Sequence, residues 1–179
     1  MNIYLISDTH FNHYNIKTYC QRPDDYNERL IRNWREIVKA DDMIIHLGDV
    51  FMHKVAGWDV IWPQLTGKKT LIRGNHDRKK SAGWWIDHGF DSCVDSLILR
   101  RCWLTHEPAD HLPPGCILNI HGHLHNIWHG FNQPGQFPAV KLRHPWQRLF
   151  SVEYTNYMPV EMDKFIAHPK KYLATGLGD

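Results

Sequence analysis

Five short blocks of this chain carry side chains that bind cations or move protons. In Ser7-Asp8-Thr9-His10 an aspartate and a histidine lie two apart, and on an extended backbone they point the same way. One cation can therefore take an oxygen and a nitrogen from a single turn. Gly48-Asp49 presents one carboxylate at a glycine turn. In Gly74-Asn75-His76-Asp77 the glycine lets the backbone turn sharply, Asn75 offers a neutral amide oxygen and His76 can carry a proton. His106 follows a fourth apolar run. The fifth block, Gly122-His123-Leu124-His125, sets two imidazoles two apart, so that each can ligate a different ion of a close pair. Asp49 is the natural bridge among these groups. Taken singly the blocks have ordinary readings, and Gly48-Asp49 is also what a turn after a strand looks like.

What must position them is a set of short strands. Ile3 to Ile6, Met43 to Leu47, Lys69 to Ile72, Arg101 to Thr105 and Cys116 to Ile120 are brief β-prone or apolar runs that end at the blocks, which suits buried strands better than helices. Asp49 then stands at the carboxyl end of a central strand, where open α/β sheets keep their active sites. His76-Asp77 also invites the reading of a His-Asp pair in an all-helical phosphohydrolase; the strand-like runs before nearly every candidate ligand oppose it.

Between the strands, Asp25 and Glu28 form a capping-box-like start to a helix. Its face is Leu30, Ile31, Trp34, Ile37 and Val38, and Arg29, Arg32, Arg35 and Lys39 make a solvated side. A second helix is expected over Phe51 to Trp62, ended by Pro63, and a third over residues 78–88. Trp84 and Trp85 are expected to pack in the core or at its edge before they serve as a base-stacking platform. From Phe90 the close spacing of Asp91 to Val94, Ser96 to Leu99 and Arg101 to Thr105 predicts an antiparallel meander. Lys141 to Arg148 is basic with an aromatic and reads as a surface loop before it reads as a phosphate-backbone contact. Phe150 to Tyr154 is expected as a closing strand and Val160 to His168 as a terminal helix.

A chain of 179 residues is the size of one domain, and a single domain over 1–179 is expected. The formal charge of +2 lacks the strong bias of a dedicated nucleic-acid binder. Histidine, at 14 residues, and tryptophan, at 8, are over-represented. Cys20, Cys93, Cys102 and Cys116 form no CxxC pair, so reduced, mostly buried thiols are expected. No run reaches membrane-spanning length and the N-terminus lacks a basic signal-peptide start, which points to the cytoplasm.

Taken in order, Asp8-x-His10, Gly48-Asp49, Gly74-Asn75-His76-Asp77, His106 and Gly122-His123-x-His125 closely resemble the calcineurin-like metallophosphoesterase superfamily. The resemblance spans residues 8–125. It implies an α/β fold, a four-layer α/β/β/α sandwich of two mixed sheets flanked by helices, with ligands on loops at the strand ends. It also implies two divalent metal ions, one on Asp8, His10, Asp49 and His125, the other on Asp49, Asn75, His106 and His123. Oxygen and nitrogen ligands without thiolate suit manganese, iron or zinc, with nickel admissible; manganese is expected. Such ions, roughly 3.5–4 Å apart, would hold a bridging hydroxide as nucleophile, with Asp49 shared between them and His76 as general acid.

One position departs from the family. Many members carry a second acidic residue three positions after the bridging aspartate to orient the catalytic imidazole, and here that position is Met52. Asp77 is the alternative that could hold His76. The resemblance implies hydrolysis of phosphate esters. A phosphodiesterase on a small molecule is favoured, with phosphomonoesterase or nuclease activity as alternatives and a non-catalytic, protein-binding scaffold of the same fold behind them. His13, Arg22 and Arg78 are the candidate phosphate contacts, since guanidinium forks match phosphate oxygens.

Overall fold

The computed structural model describes residues 1–51, 57–126 and 142–168. Strands β1 (Ile3–Ile6), β2 (Met43–His46), β3 (Lys68–Ile72) and β4 (Ser92–Val94) pair in parallel, each with the next. A second sheet runs in the order β5 (Leu97–Leu99), β6 (Cys102–Thr105), β7 (Leu118–His121), β8 (Gln147–Leu149), with β5 antiparallel and the rest parallel. β9 (Val160–Glu161) returns to close the first sheet, antiparallel to β1.

Strands of the first sheet are apolar at successive positions because both of their faces are covered. Ile6, Ile44 and Leu71 enter one core, while their neighbours Leu5, Ile45 and Ile72 enter another. Alternate side chains of a strand point to opposite faces, so a run without polar alternation needs a layer on each side. On one side lie α1 (Ile16–Tyr19), α2 (Tyr26–Ile37), α3 (Trp58–Ile61) and α4 (Ala82–Asp87), which add Ile16, Leu30, Trp34, Ile61 and Trp85. On the other lies the second sheet, whose Cys102, Leu104 and Ile120 meet Leu5 and Ile45. α5 (Met162–Ala167) adds Met162 and Phe165 to that inter-sheet core. Two mixed sheets with a few helices make the α/β fold that the resemblance implied.

Several local expectations are corrected. β4 joins the first sheet beside β3, so the antiparallel meander reduces to the β5–β6 hairpin. The closing strand is Gln147–Leu149, three residues before the expected one, and residues 152–157 are turns. The helix expected from Phe51 begins at Trp58; it ends before Pro63 as expected, at Ile61 with Trp62 as its C-cap, and Pro63 sits in a 3-10 turn that follows, Trp62–Gln64. Asp25 caps nothing with its side chain and instead pairs with Arg29 at 2.9 Å. Val160–Glu161 is strand before the last helix begins. Trp85 is buried, and Trp84 stacks on His88 at 3.7 Å between ring centroids, as packing at the edge of the core. The four cysteines are free. Among the described residues no helix is long and apolar enough to cross a membrane.

Candidate metal centre

Parallel pairing in register carries the functional loops to one end of both sheets. Ile6 pairs with His46 and His46 with Leu71, so the chain leaves β1, β2 and β3 side by side at Asp8, Asp49 and Asn75. In the second sheet Thr105 pairs with His121 and His121 with Leu149, which aligns the exits toward His106, His123 and residues just past β8.

Past the strands the loops stay stitched together. Asp8 donates its N–H to Gly48 O at 2.9 Å and His10 donates to Asp49 O at 3.0 Å. Buried His46 adds a side-chain link: Gly48 N–H donates to its Nδ1 at 3.1 Å, which fixes the proton on Nε2, 2.9 Å from Thr9 Oγ1. Thr9 in turn donates to Val50 O at 3.0 Å. Burial pushes the His46 imidazole down to about 3, so it stays neutral in this role.

Five of the candidate ligand residues hold unusual backbone conformations. Asp8, His10, Asp49, His123 and His125 have φ of 53°, 45°, 59°, 70° and 49°, a left-handed region that non-glycine residues enter at a cost of about 1–3 kcal/mol each. Gly48, at φ 102°, has space for no side chain: a Cβ there would stand 2.6 Å from the Gly74 nitrogen. The strain gathers at three of the five blocks, those of Asp8 and His10, of Asp49, and of His123 and His125.

At that centre a single oxygen, Asp49 Oδ2, lies 3.6 Å from His10 Nε2, 3.5 Å from His106 Nε2 and 3.8 Å from His76 Nε2. On one side of it, Asp8 Oδ1 is 3.9 Å from His10 Nε2 and 3.5 Å from His125 Nε2. On the other, Asn75 Oδ1 is 2.9 Å from His106 Nε2 and 3.2 Å from His123 Nδ1. Ligand atoms of Asp8, His10 and His125 lie within 4.8 Å of one another, and so do those of Asp8, Asp49 and His106. Asp8, His10, Asp49, His106 and His125 form a buried floor; Asn75 is exposed, and His76 and His123 are half-buried on the open side.

The donor set fits divalent cations. Among the described residues, Asp8 Oδ1 and both ring nitrogens of His10 are buried without a hydrogen-bond partner, a costly state for polar atoms unless something positive meets them. Burial, with Asp8 and Asp77 nearby, raises the Asp49 carboxyl to about 7 against the pull of His106. Burial also lowers His10 well below its ordinary value. A cation reverses the first tendency by favouring the carboxylate and reinforces the second by favouring the neutral imidazole that can ligate it.

Of the expected phosphate contacts, Arg22 is corrected. Its side chain is fully buried and its guanidinium donates to Asp8 O at 2.6 Å, to Thr9 O at 2.7 Å and to Glu153 Oε1 at 2.8 Å. Arg78 remains at the rim, 46% exposed and 2.9 Å from Glu107. His13 lies beside His10, with ring centroids 5.5 Å apart. Asp77 is also corrected as the partner of His76, because its buried carboxylate accepts the amides of Asp49, Val50 and Gly74. Met52 lies outside the described residues.

The calcineurin-like phosphoesterase family model matches residues 1–174. The chain belongs to the calcineurin-like phosphoesterases. It is also 32% identical over 171 residues to an uncharacterized protein of Methanocaldococcus jannaschii, across 92% of this chain and 89% of that one. A protein of unknown function from Aquifex aeolicus has a similar structure, with a TM-score of 0.65 at 24% identity over 93% of this chain and 98% of that one. A nuclease of Pseudomonas putida aligns with a TM-score of 0.49 at 25% identity over 69% of this chain and 61% of that one.

Sequence reasoning missed Glu153, Cys20 and His46. Glu153 Oε1 lies 3.2 Å from His125 Nδ1, and Cys20, His125 and Glu153 bring ligand atoms within 4.8 Å of one another. The signal for Glu153 was hidden by the strand frame: with β8 ending at Leu149, residue 153 follows a strand exit just as the other site residues do.

Proposed function

We propose that this calcineurin-like phosphoesterase hydrolyses phosphodiesters of small molecules with two divalent metal ions, manganese first among them. The observation that carries this reading is Asp49 Oδ2, placed within 4 Å of the Nε2 atoms of His10, His76 and His106 from three separate loops. Asp8, His10, Asp49 and His125 would hold one ion, and Asp49, Asn75, His106 and His123 the other. Bound there, the pair supplies Lewis acidity toward the phosphoryl oxygens and an activated water for in-line attack.

The remaining work falls to the chain itself. Asp49 is held for its bridging place by the His76 N–H, which donates to Oδ1 at 3.0 Å and leaves Oδ2 for the centre. The His76 ring is half-buried on the open side, where its Nε2 can hand a proton to the departing ester oxygen. Arg78, exposed at the rim, and His13, buried beside His10, would meet phosphate oxygens. The convergence of so many ligand side chains favours an enzyme over a scaffold, since gathering buried carboxylates and imidazoles without a cation is costly.

The test is hydrolysis of bis(p-nitrophenyl) phosphate against the p-nitrophenyl monoester, with manganese and with chelator. Manganese-dependent turnover that favours the diester is expected. Equal or greater turnover of the monoester overturns the diester preference, and loss of all metal-dependent turnover overturns the enzyme. Cleavage of single-stranded nucleic acid in place of small diesters would overturn the small-molecule substrate.

A further inference from the structure

We infer that Glu153, locked by Arg22, is a positioning residue that sets the tautomer of His125 and tightens one of the two metal sites. The inference rests on the metal-centre reading above and adds to it a residue outside the five blocks. Glu153 Oε1 lies 3.2 Å from His125 Nδ1, while His125 Nε2 faces Asp8 Oδ1 at 3.5 Å. A carboxylate can only accept, so it draws the imidazole proton to Nδ1 and leaves the Nε2 lone pair for a cation. Ligand histidines are oriented in this way by an outer carboxylate, which also makes the coordinating nitrogen more basic.

Glu153 is itself held by two residues, one on each oxygen. Arg22 donates Nε to Oε1 at 2.8 Å and approaches the same oxygen with Nη2 at 2.7 Å, and the Ser151 hydroxyl donates to Oε2. The Arg22 fork reaches further, to Asp8 O at 2.6 Å and Thr9 O at 2.7 Å. One guanidinium thus ties the backbone of the loop carrying Asp8 and His10 to the carboxylate that aims His125. All three ligands exclusive to the first ion depend on it; Asn75, His106 and His123 do not touch it. The Glu153 and Arg22 side chains are 4% and 0% exposed, so water does not loosen the arrangement.

Zinc titration of the metal-free chain and of Glu153→Gln tests this. The wild-type chain is expected to take up two ions. Glu153→Gln keeps the shape but loses the charge, and is expected to weaken one of those ions by about 10–100-fold while the other is unchanged. The second readout is the long-range 1H–15N spectrum of the zinc-loaded wild-type chain, in which His125 should carry its proton on Nδ1. This measurement also decides the matter if Glu153→Gln fails to fold. A His125 bare at Nδ1, or two ions bound by Glu153→Gln with wild-type affinity, overturns this proposal alone. A wild-type chain that takes up no zinc overturns the metal-centre reading with it.

Discussion

Asp77 Oδ2 accepts the backbone N–H of Asp49 at 2.6 Å, across 28 residues of sequence. The same carboxylate takes Gly74 N–H at 2.8 Å and Val50 N–H at 3.1 Å, so one side chain holds the loop after β2 against the loop after β3. Burial raises the Asp77 carboxyl above its ordinary value, although all three amides favour the ionised form. Asp77→Asn turns an amide NH2 toward donors that need an acceptor. Urea unfolding of the metal-free protein is expected to show a loss of about 2–4 kcal/mol, from buried N–H groups left unsatisfied. A loss under about 0.5 kcal/mol, the scale of a neutral surface change, would mean that the loops are held by other contacts.

Asp49 is shifted in the same direction as Asp77, and there the shift reaches neutral pH. Its carboxyl is raised to about 7, chiefly by burial, so near neutral pH the metal-free fold keeps a proton that the unfolded chain has released. Stability from this group is therefore full at low pH and declines as pH rises from about 4, the unfolded value, toward 7. Asp49→Asn keeps an oxygen for the His76 N–H and removes the titrating charge. The metal-free variant is expected to be more stable than the wild type at pH 8 by about 1–3 kcal/mol and to bind neither ion. A variant that still takes up two ions would remove Asp49 from the bridging place.

Much of this was legible because strand ends and ligands coincide in sequence. Asp8 and Asp49 each follow a run whose continuous apolar character is itself a consequence of two cores, one on each face of the first sheet; Asn75 follows the apolar Leu71-Ile72 end of a third strand of that sheet, and His106 a strand of the second. The parts that stayed hidden are non-local. Nothing near Arg22 in sequence announces Glu153, 131 residues away, and an arginine beside a proline looks like any surface arginine until its guanidinium is found against Asp8 O and Thr9 O. β4 was misread for a related reason: its short β-prone run suits either sheet, and only the pairing of Leu71 with Cys93 places it in the first.

His46 gives a pH dependence whose sign is fixed by burial. Its imidazole is pushed down to about 3 from an ordinary 6.5, so between those values the unfolded chain binds a proton that the folded chain refuses. Its contribution therefore weakens the fold as pH falls through 6.5, by about 1.4 kcal/mol per pH unit. Asp49 and Asp77, both raised, run the other way, so the histidine shows in the difference between two proteins. His46→Gln should destabilise at pH 7, where hydrogen bonds to Gly48 and Thr9 are disturbed, and the penalty should shrink by about 2 kcal/mol at pH 5. A penalty that is the same at both pH values would show that His46 takes up a proton in the fold.

A substitution at His76 tests the proposed proton transfer apart from metal binding. Its backbone N–H supports Asp49 whatever the side chain, while its half-buried ring stands on the open side of the centre with Nε2 3.8 Å from Asp49 Oδ2. His76→Ala is therefore expected to keep both ions, measured as metal content after dialysis. Hydrolysis should slow by about 10²–10⁴-fold on esters whose leaving oxygen needs a proton, the usual range for a general acid. The loss should be smaller for p-nitrophenyl esters, whose leaving group departs readily as the anion. Equal losses across leaving groups would place His76 in holding the phosphate instead of protonating the departing oxygen, and unchanged rates on alkyl esters would remove it from the chemistry.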